Sequence, residues 1–347
     1  MQRSIATVSL SGTLPEKLEA IAAAGFDGVE IFENDLLYYD GSPREIRQRC
    51  ADLGLAITLF QPFRDFEGCR RDRLSRNLDR AERKFDLMQE LGTDLVLVCS
   101  NVAADALGER QILVDDLRLL AERAGARDLR IGYEALAWGR HVNQWEQVWD
   151  IVREADHRSL GMILDSFHTY SIKGDPSGIA KIPGDKIFFV QMADAPILAM
   201  DVLEWSRHFR CFPGQGEFDL PAFLGPILQA GYRGPLSLEI FNDGFRAAPP
   251  RANAADGLRS LLYLEEKTRQ YLERTAPEVA AEPELLFSPP PAGAYDGIEF
   301  LEFAVDDASG AKLGNWLEQL GFARVGQHRS KNVSLLRQGD ILSLIHI

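Results

Sequence analysis

The sequence has few cysteines and no long hydrophobic run. Its four cysteines, Cys50, Cys69, Cys99 and Cys211, lie far apart and form no CxxC pair. This spacing argues against a zinc ribbon, a thioredoxin-type site or a disulfide framework, and it is typical of a reducing cytosol. No apolar run approaches the roughly 18 residues that span a bilayer, and the start, MQRSIATVSLSG, is too short and too polar for a signal peptide. We therefore expect a soluble, cytoplasmic protein.

Positive charge is also scarce. The 347 residues include 38 Lys and Arg against 52 Asp and Glu, so the formal net charge is −14. Such a chain is a poor candidate for binding nucleic acid or an anionic membrane surface. We expect a small-molecule substrate, and a homo-oligomer stays open. An anionic substrate would have to be met by a few placed arginines.

Short apolar runs alternate with longer amphipathic segments over residues 4–275. Each run is continuous and rich in β-branched or aromatic residues, as in strands that are buried on both faces of a parallel sheet. Eight such units in succession predict an α/β fold of the (β/α)8 TIM-barrel type, with a doubly wound open sheet as the alternative. The eight runs are residues 4–10, 28–32, 56–60, 94–99, 129–134, 160–165, 186–192 and 235–240.

The composition changes after residue 275. Residues 276–296 are rich in Pro and Ala and predict a linker. Residues 297–347 then predict a partial βαβββ module, which is too small to bury much core alone. The predicted organisation is a catalytic barrel over 1–275, the linker, and this incomplete module, which is either a regulatory or dimerising unit or an inactive fragment.

The last six residues, LSLIHI, suggest a second interpretation of the chain end. They match one reading frame of a transposon-end adapter used in sequencing libraries. Our hypothesis is that the natural protein continues beyond them. The alternative is that they form an ordinary apolar strand.

Polar side chains stand at the ends of four consecutive predicted strands. These residues are Glu134, Asp165, Gln191 and Glu239. Because the active site of an α/β barrel lies at the carboxyl ends of its strands, we expect the four to converge. Three carboxylates and one amide oxygen suit a hard divalent ion such as Mg²⁺ or Mn²⁺. Any one of them alone could instead cap a helix or pair with an arginine.

Several motifs around these residues are recognisable. YEALAWGRHVN, LDSFHTY, FVQMADAP, RHFRCFPGQGEFD and SLEIFND resemble the xylose isomerase-like barrel superfamily and, within it, the bacterial 3-dehydroshikimate dehydratases. The resemblance covers residues 1 to about 275. The segment from residue 297 is similar to the first module of a 4-hydroxyphenylpyruvate dioxygenase-like domain.

The resemblance implies metal-dependent dehydration of 3-dehydroshikimate to protocatechuate in quinate and shikimate breakdown. It implies that Glu134, Asp165, Gln191 and Glu239 are the metal ligands, with Glu134 and Glu239 also counted as catalytic. Related sugar epimerases usually have His where Gln191 stands. The neutral amide oxygen keeps the site hard and favours Mg²⁺, Mn²⁺ or Co²⁺ over zinc.

His168 follows Asp165 by three residues and is the candidate base or acid for proton transfer. The equally weighted alternative is that it only orients Asp165. Many members of the superfamily carry a His two residues after the first Glu ligand, but this chain has Leu136 there. A mechanism that depends on that His does not transfer.

The substrate's carboxylate needs a cation, and a planar guanidinium meets it with two hydrogen bonds. Arg210 matches the substrate-binding arginine of the family, and Arg64 is the second choice. The alternative for Arg64 is an ion pair with Asp65 or Glu67. Ser206, on the same loop as Arg210, is a further candidate for contact with substrate.

Two other functions compete with this interpretation. A metal-dependent sugar isomerase or epimerase, or an inosose dehydratase, could use the same barrel, but a neutral sugar has no need of Arg210. A DNA-repair endonuclease or a binding module is the second alternative. Six histidines in all and a net charge of −14 argue against a repair enzyme with several His ligands and a basic DNA-binding face.

Overall fold

The computed structural model describes residues 1–291, 293–294 and 296–347. The chain divides into two compact units, Met1–Pro289 and Pro290–Ile347. Each unit has its own sheet and its own hydrophobic core.

The first unit is a closed barrel of eight parallel strands, as predicted. Each strand pairs with its neighbour in sequence, and β1 pairs with both β2 and β8, which excludes the open sheet. The strands are β1 (Arg3–Ala6), β2 (Gly28–Phe32), β3 (Ala56–Phe63), β4 (Leu95–Cys99), β5 (Arg130–Glu134), β6 (Leu160–Asp165), β7 (Ile187–Met192) and β8 (Leu236–Leu238).

The helices of this unit follow the amphipathic segments, with short additional helices after β2, β6 and β7. They are α1 (Leu14–Ala24), α2 (Glu33–Leu37), α3 (Pro43–Asp52), α4 (Leu74–Leu91), α5 (Arg110–Gly125), α6 (Trp145–Ala155), α7 (Ser166–Ser171), α8 (Val202–His208), α9 (Leu220–Gln229), α10 (Pro250–Thr275) and α11 (Pro277–Ala280). The weakly patterned segment before β7 forms two 3₁₀ helices, Pro176–Lys181 and Gly184–Lys186. None of the helices described has the length and apolar character of a membrane span.

Local sequence signals set the helix ends. The Ser42 hydroxyl accepts a hydrogen bond from the backbone N–H of Glu45 at 3.3 Å, and Pro43 occupies the first turn of α3. Gly25 ends α1 with a φ of +96°, a left-handed conformation that costs a residue with a Cβ atom free energy. The Ser42 cap thus begins α3, and the Gly25 cap ends α1 shortly before β2.

The barrel core explains why the strands are continuous apolar runs in the sequence. Every residue of β4, β6 and β7 is buried, because one side of each strand faces the barrel interior and the other faces the helices. Burying one large aliphatic side chain stabilises the fold by about 1.5–3 kcal/mol. The few polar residues on these strands are therefore costly to keep, and they cluster at the candidate site.

The structure places the end of the first unit later than the sequence predicts. Residues 276–289, expected to be linker, pack against the barrel unit: Val279 and Leu285 are buried in its core. The N-terminal ammonium of Met1 donates hydrogen bonds to the carbonyls of Glu284 and Leu285 at 3.2 and 3.0 Å. Val279 and Leu285 are too far apart in the sequence to form a helical pattern of apolar residues. The composition of this segment therefore predicts a linker.

The second unit contains the predicted βαβββ arrangement. It consists of β9 (Leu301–Ala304), α12 (Asp307–Gln319), β10 (Ala323–Gln327), β11 (Val333–Gln338) and β12 (Ile341–His346). The sheet order is β10-β11-β12-β9, with β12 parallel to β9 and the other pairs antiparallel. Its small core is built around Leu317, Leu336 and Ile345.

One buried acid lies just beyond β3, at Glu67. Its Oε1 accepts hydrogen bonds from the backbone N–H of Asn101 at 2.6 Å and from the Tyr133 hydroxyl at 3.0 Å. Its Oε2 has no hydrogen-bond partner among the described atoms. Burial raises the pKa of Glu67 to about 8, and its hydrogen bonds offset only part of that rise.

We predict that Glu67→Gln flattens the pH dependence of stability. Between about pH 4.5 and 8 the folded wild type keeps a proton on Glu67 that the unfolded chain loses, so its free energy of unfolding falls as the pH rises, by up to about 1.4 kcal/mol per pH unit. The neutral amide removes this loss. Urea unfolding at pH 5, 6.5 and 8 measures it, with exposed Glu146→Gln as the matched control. Parallel curves for wild type and Glu67→Gln would contradict the prediction.

Candidate active site

The four predicted oxygen donors lie together at the carboxyl ends of the barrel strands. Glu134 ends β5, Asp165 ends β6, Gln191 lies near the end of β7 and Glu239 follows β8. The strand register places Asp165 opposite Gln191, on the next strand. Their exposed fractions are 3%, 3%, 0% and 5%, so the site is nearly closed to water.

The donor set fits a divalent cation. Glu134, Asp165 and His168 each present one ligand atom, and these atoms lie within 4.8 Å of one another. Oε1 of Glu134 and Oε1 of Gln191 are buried oxygens with no hydrogen-bond partner in the described part of the chain. Unsatisfied buried oxygens cost free energy unless something binds them, and carboxylate and amide oxygens are ligands of hard ions. This cluster could therefore hold a metal ion.

Crowding of carboxylates perturbs Glu134. Burial raises the pKa of Glu134 well above its usual range, and the nearby Asp165 and Glu239 raise it further. For Asp165 burial raises the pKa, but the charge and hydrogen bond of Arg210 together with His168 more than offset it, and the pKa is lowered. With all its carboxylates ionised, the cluster would carry more negative charge than Arg210 alone neutralises, which favours a cation.

The structure adds Glu30, a residue that the sequence analysis missed. Glu30 lies in β2 with no exposed surface, and its Oε2 accepts hydrogen bonds from Nε2 of Gln61 and Nε2 of Gln191, both at 2.7 Å. The second bond fixes the Gln191 amide so that its oxygen is left without a partner. In the sequence, Glu30 is a lone acid inside the apolar run GVEIF and does not stand at the end of that run.

Arg210 has different partners from those that the resemblance implies. Its exposed fraction is 1%, and its Nη1 donates to Asp165 Oδ2 at 2.8 Å and to Glu239 Oε2 at 2.9 Å. Its Nη2 donates to the Ser206 hydroxyl at 2.9 Å, and Ser206 is fully buried. The guanidinium predicted to meet the substrate therefore binds two of the candidate metal ligands, and Ser206 supports it.

Both ring nitrogens of His168 have a neighbour in the site. Nδ1 accepts a hydrogen bond from the backbone N–H of Ala137 at 3.1 Å, and Nε2 lies 3.3 Å from Nη2 of Arg210. Burial lowers the pKa of His168 to about 3. Asp165 Oδ1 accepts from the backbone N–H groups of Phe167 and His168, at 2.6 and 3.3 Å, and caps α7.

Arg64 lies where the sequence analysis expected it, but the ion-pair alternative is not observed. Asp65 Oδ1 accepts instead from the backbone of Val102 at 3.5 Å, and Glu67 accepts from Asn101. Arg64 lines a narrow pocket of about 10 Å³ with Glu134, His168, Arg210, Glu239 and other residues. Among them is Arg207, which the sequence analysis did not single out.

The loop that carries Arg210 is held from behind by Asp194. The Asp194 carboxylate accepts hydrogen bonds from the backbone N–H groups of Gly214, Gly216 and Phe218 at 3.0, 3.1 and 3.0 Å. A Cβ atom on Gly216 would lie 2.5 Å from the backbone nitrogen of Ala195, so only glycine fits this close approach. The segment Gly214–Gln215–Gly216 thus shapes the loop behind Arg210.

Comparison with known families agrees with both units of the fold. The family described as "Xylose isomerase-like TIM barrel" matches residues 18–264. The family described as "Hydroxyphenylpyruvate dioxygenase, HPPD, N-terminal" matches residues 289–347.

Individual relatives are close in sequence. The chain is 82% identical to a 3-dehydroshikimate dehydratase of Pseudomonas putida and 80% identical to one of Pseudomonas aeruginosa. Each match covers 98% of this chain, but only 53% of the P. putida protein and 54% of the P. aeruginosa protein. A solved structure titled as a fusion of a xylose isomerase-like TIM barrel with 4-hydroxyphenylpyruvate dioxygenase is 80% identical, with a TM-score of 0.85 over all of this chain and 55% of its own. The chain thus spans about half the length of these relatives.

We predict that Arg210→Met destabilises the metal-free chain by about 3–5 kcal/mol, because it leaves the buried Asp165 and Glu239 carboxylates without their cation. Urea unfolding in the presence of a chelator measures the loss, and added Mn²⁺ should restore part of it. Arg110, which bridges Asp150 and Glu154 at the surface, is the matched control, and Arg110→Met should cost less than about 1 kcal/mol. Equal losses in the two variants would contradict the role given to Arg210.

Proposed function

The chain belongs to the xylose isomerase-like TIM barrel family, and from this premise we propose that it dehydrates 3-dehydroshikimate to protocatechuate in quinate and shikimate breakdown. The observation that carries the proposal is the buried cluster of Glu134, Asp165, Gln191 and Glu239 beside arginines that face the same pocket. The Pseudomonas relatives with the name of this activity support it.

We propose that these four residues hold one Mg²⁺, Mn²⁺ or Co²⁺ ion. When bound, such an ion supplies Lewis-acid polarisation of a substrate carbonyl, which makes the neighbouring C–H more acidic. The two partner-free oxygens, Glu134 Oε1 and Gln191 Oε1, support this assignment. Glu30 and Arg210 position the ligands through the hydrogen bonds described above.

We propose that His168 serves proton transfer, as base or acid, at one ring atom. Because the Ala137 N–H occupies Nδ1, a proton can leave or reach the ring only at Nε2. This nitrogen lies 3.3 Å from Nη2 of Arg210, which brings it to the edge of the candidate metal ligands.

We propose that the protein works in the cytoplasm. All four cysteines are free, buried thiols, as expected of a chain that folds in a reducing compartment. A homo-oligomer stays a prediction of the sequence analysis.

The proposal is tested by mixing chelator-treated protein with 3-dehydroshikimate, with and without added Mg²⁺, Mn²⁺ or Co²⁺, and following protocatechuate absorbance. We expect product only with metal, with a rate at least about 100-fold above that of the stripped chain, since a Lewis acid contributes several kcal/mol. Glu134→Gln should lose a similar factor, whereas the exposed control Glu122→Gln should match wild type.

The alternative function predicts another result. A folded sample that gives no protocatechuate with any of the three metals, but converts a neutral inosose or sugar, would contradict the proposal. Circular dichroism of the same sample shows whether the barrel is folded.

A further inference from the structure

Arg207 stands out among the arginines around the candidate site. Arg64, Arg207 and Arg210 all line the same pocket. The donors of Arg210 are engaged by Asp165, Glu239 and Ser206, and its Nη2 also lies 3.3 Å from Nε2 of His168. Across the described residues, the guanidinium groups of Arg64 and Arg207 form neither an ion pair nor a hydrogen bond with the protein.

The side chain of Arg207 is held in place by aromatic rings. It extends from α8, and its guanidinium carbon lies 4.6 Å from the ring centre of Phe241 and 5.5 Å from that of Trp138. Stacking of this kind fixes the plane of the guanidinium while leaving the N–H groups on its edge free to donate. The arginine is thus preorganised for a partner that the protein does not supply.

Two half-buried arginines without carboxylate partners are electrostatically unfavourable. Burial lowers the pKa of Arg207, and the positive charges of Arg64 and Arg210 lower it further. An anion between Arg64 and Arg207 would relieve this repulsion, whereas a neutral polyol would leave both cations unpaired.

We propose that Arg207, together with Arg64, binds the carboxylate of the substrate, and that Arg210 instead holds the candidate metal ligands. This inference rests on the proposed function and names the residue that selects an acid over a neutral sugar. A planar carboxylate suits the free edge of the stacked guanidinium, which offers two parallel N–H donors.

The first test compares steady-state kinetics on 3-dehydroshikimate in metal-loaded protein. Arg207→Met keeps an apolar side chain between Trp138 and Phe241 but removes the charge. We expect KM to rise by roughly 10- to 100-fold, the loss of a charge-assisted hydrogen-bonded pair. We expect kcat to change much less, because the carboxylate is bound equally in ground and transition states. Arg207→Lys should recover part of the loss, and Arg153→Met, an exposed arginine outside the site, is the matched control.

The second test separates a carboxylate contact from a packing role. Protocatechuate and catechol differ by one carboxylate, so both are measured as competitive inhibitors. In Arg207→Met the inhibition constant of protocatechuate should rise by the same factor as KM, and that of catechol should stay unchanged. Equal rises for both inhibitors, or an unchanged KM, would overturn the inference.

Failure of the proposed function gives a different result. Wild-type protein without turnover of 3-dehydroshikimate contradicts the proposed function itself. Active wild-type enzyme with an unaffected Arg207→Met variant contradicts only the assignment of Arg207.

Discussion

The burial of negative charge at one end of the barrel is the constraint on which the rest of this site depends. Glu30, Glu134, Asp165 and Glu239 are all nearly inaccessible to water, and Arg210 is the guanidinium buried with them. Transfer of a carboxylate from water to such an environment is costly unless a proton or a cation accompanies it. The pKa values of Glu30 and Glu134 are raised because a proton on the carboxyl group avoids this cost. A bound divalent ion would lower the same cost by neutralising the carboxylates.

The barrel keeps these carboxyl groups together although their negative charges repel one another. Parallel strands fix the spacing of the side chains at their carboxyl ends, and Glu30, on β2, holds Gln191, on β7, across the barrel interior. Asp194 fixes the loop behind Arg210 through three backbone N–H groups. The site is therefore built in layers: the candidate ligand oxygens, the residues that orient them, and a pocket that Arg64 and Arg207 line.

Much of this arrangement could be predicted from sequence, because buried parallel strands and their polar termini leave a direct pattern. The eight apolar runs predict the barrel, and the ends of four of them predict the cluster. The roles of Arg207 and Arg210 could not be separated in this way. They lie three residues apart, and the side that each faces depends on where α8 begins and ends. Glu30 could not be predicted, because its role comes from a hydrogen bond between two unpaired strands across the barrel interior, which leaves no pattern in the sequence.

The buried charge makes this end of the barrel a candidate site for a divalent cation. The most direct test titrates the chelator-stripped chain with Mn²⁺ and follows the free ion by electron paramagnetic resonance. The account predicts one bound Mn²⁺ per chain and an affinity at least about tenfold lower when Glu30→Leu releases the Gln191 amide. Two results would contradict this account. One is that the chain binds no Mn²⁺, and the other is that neither Glu30→Leu nor Glu134→Gln changes the affinity for Mn²⁺.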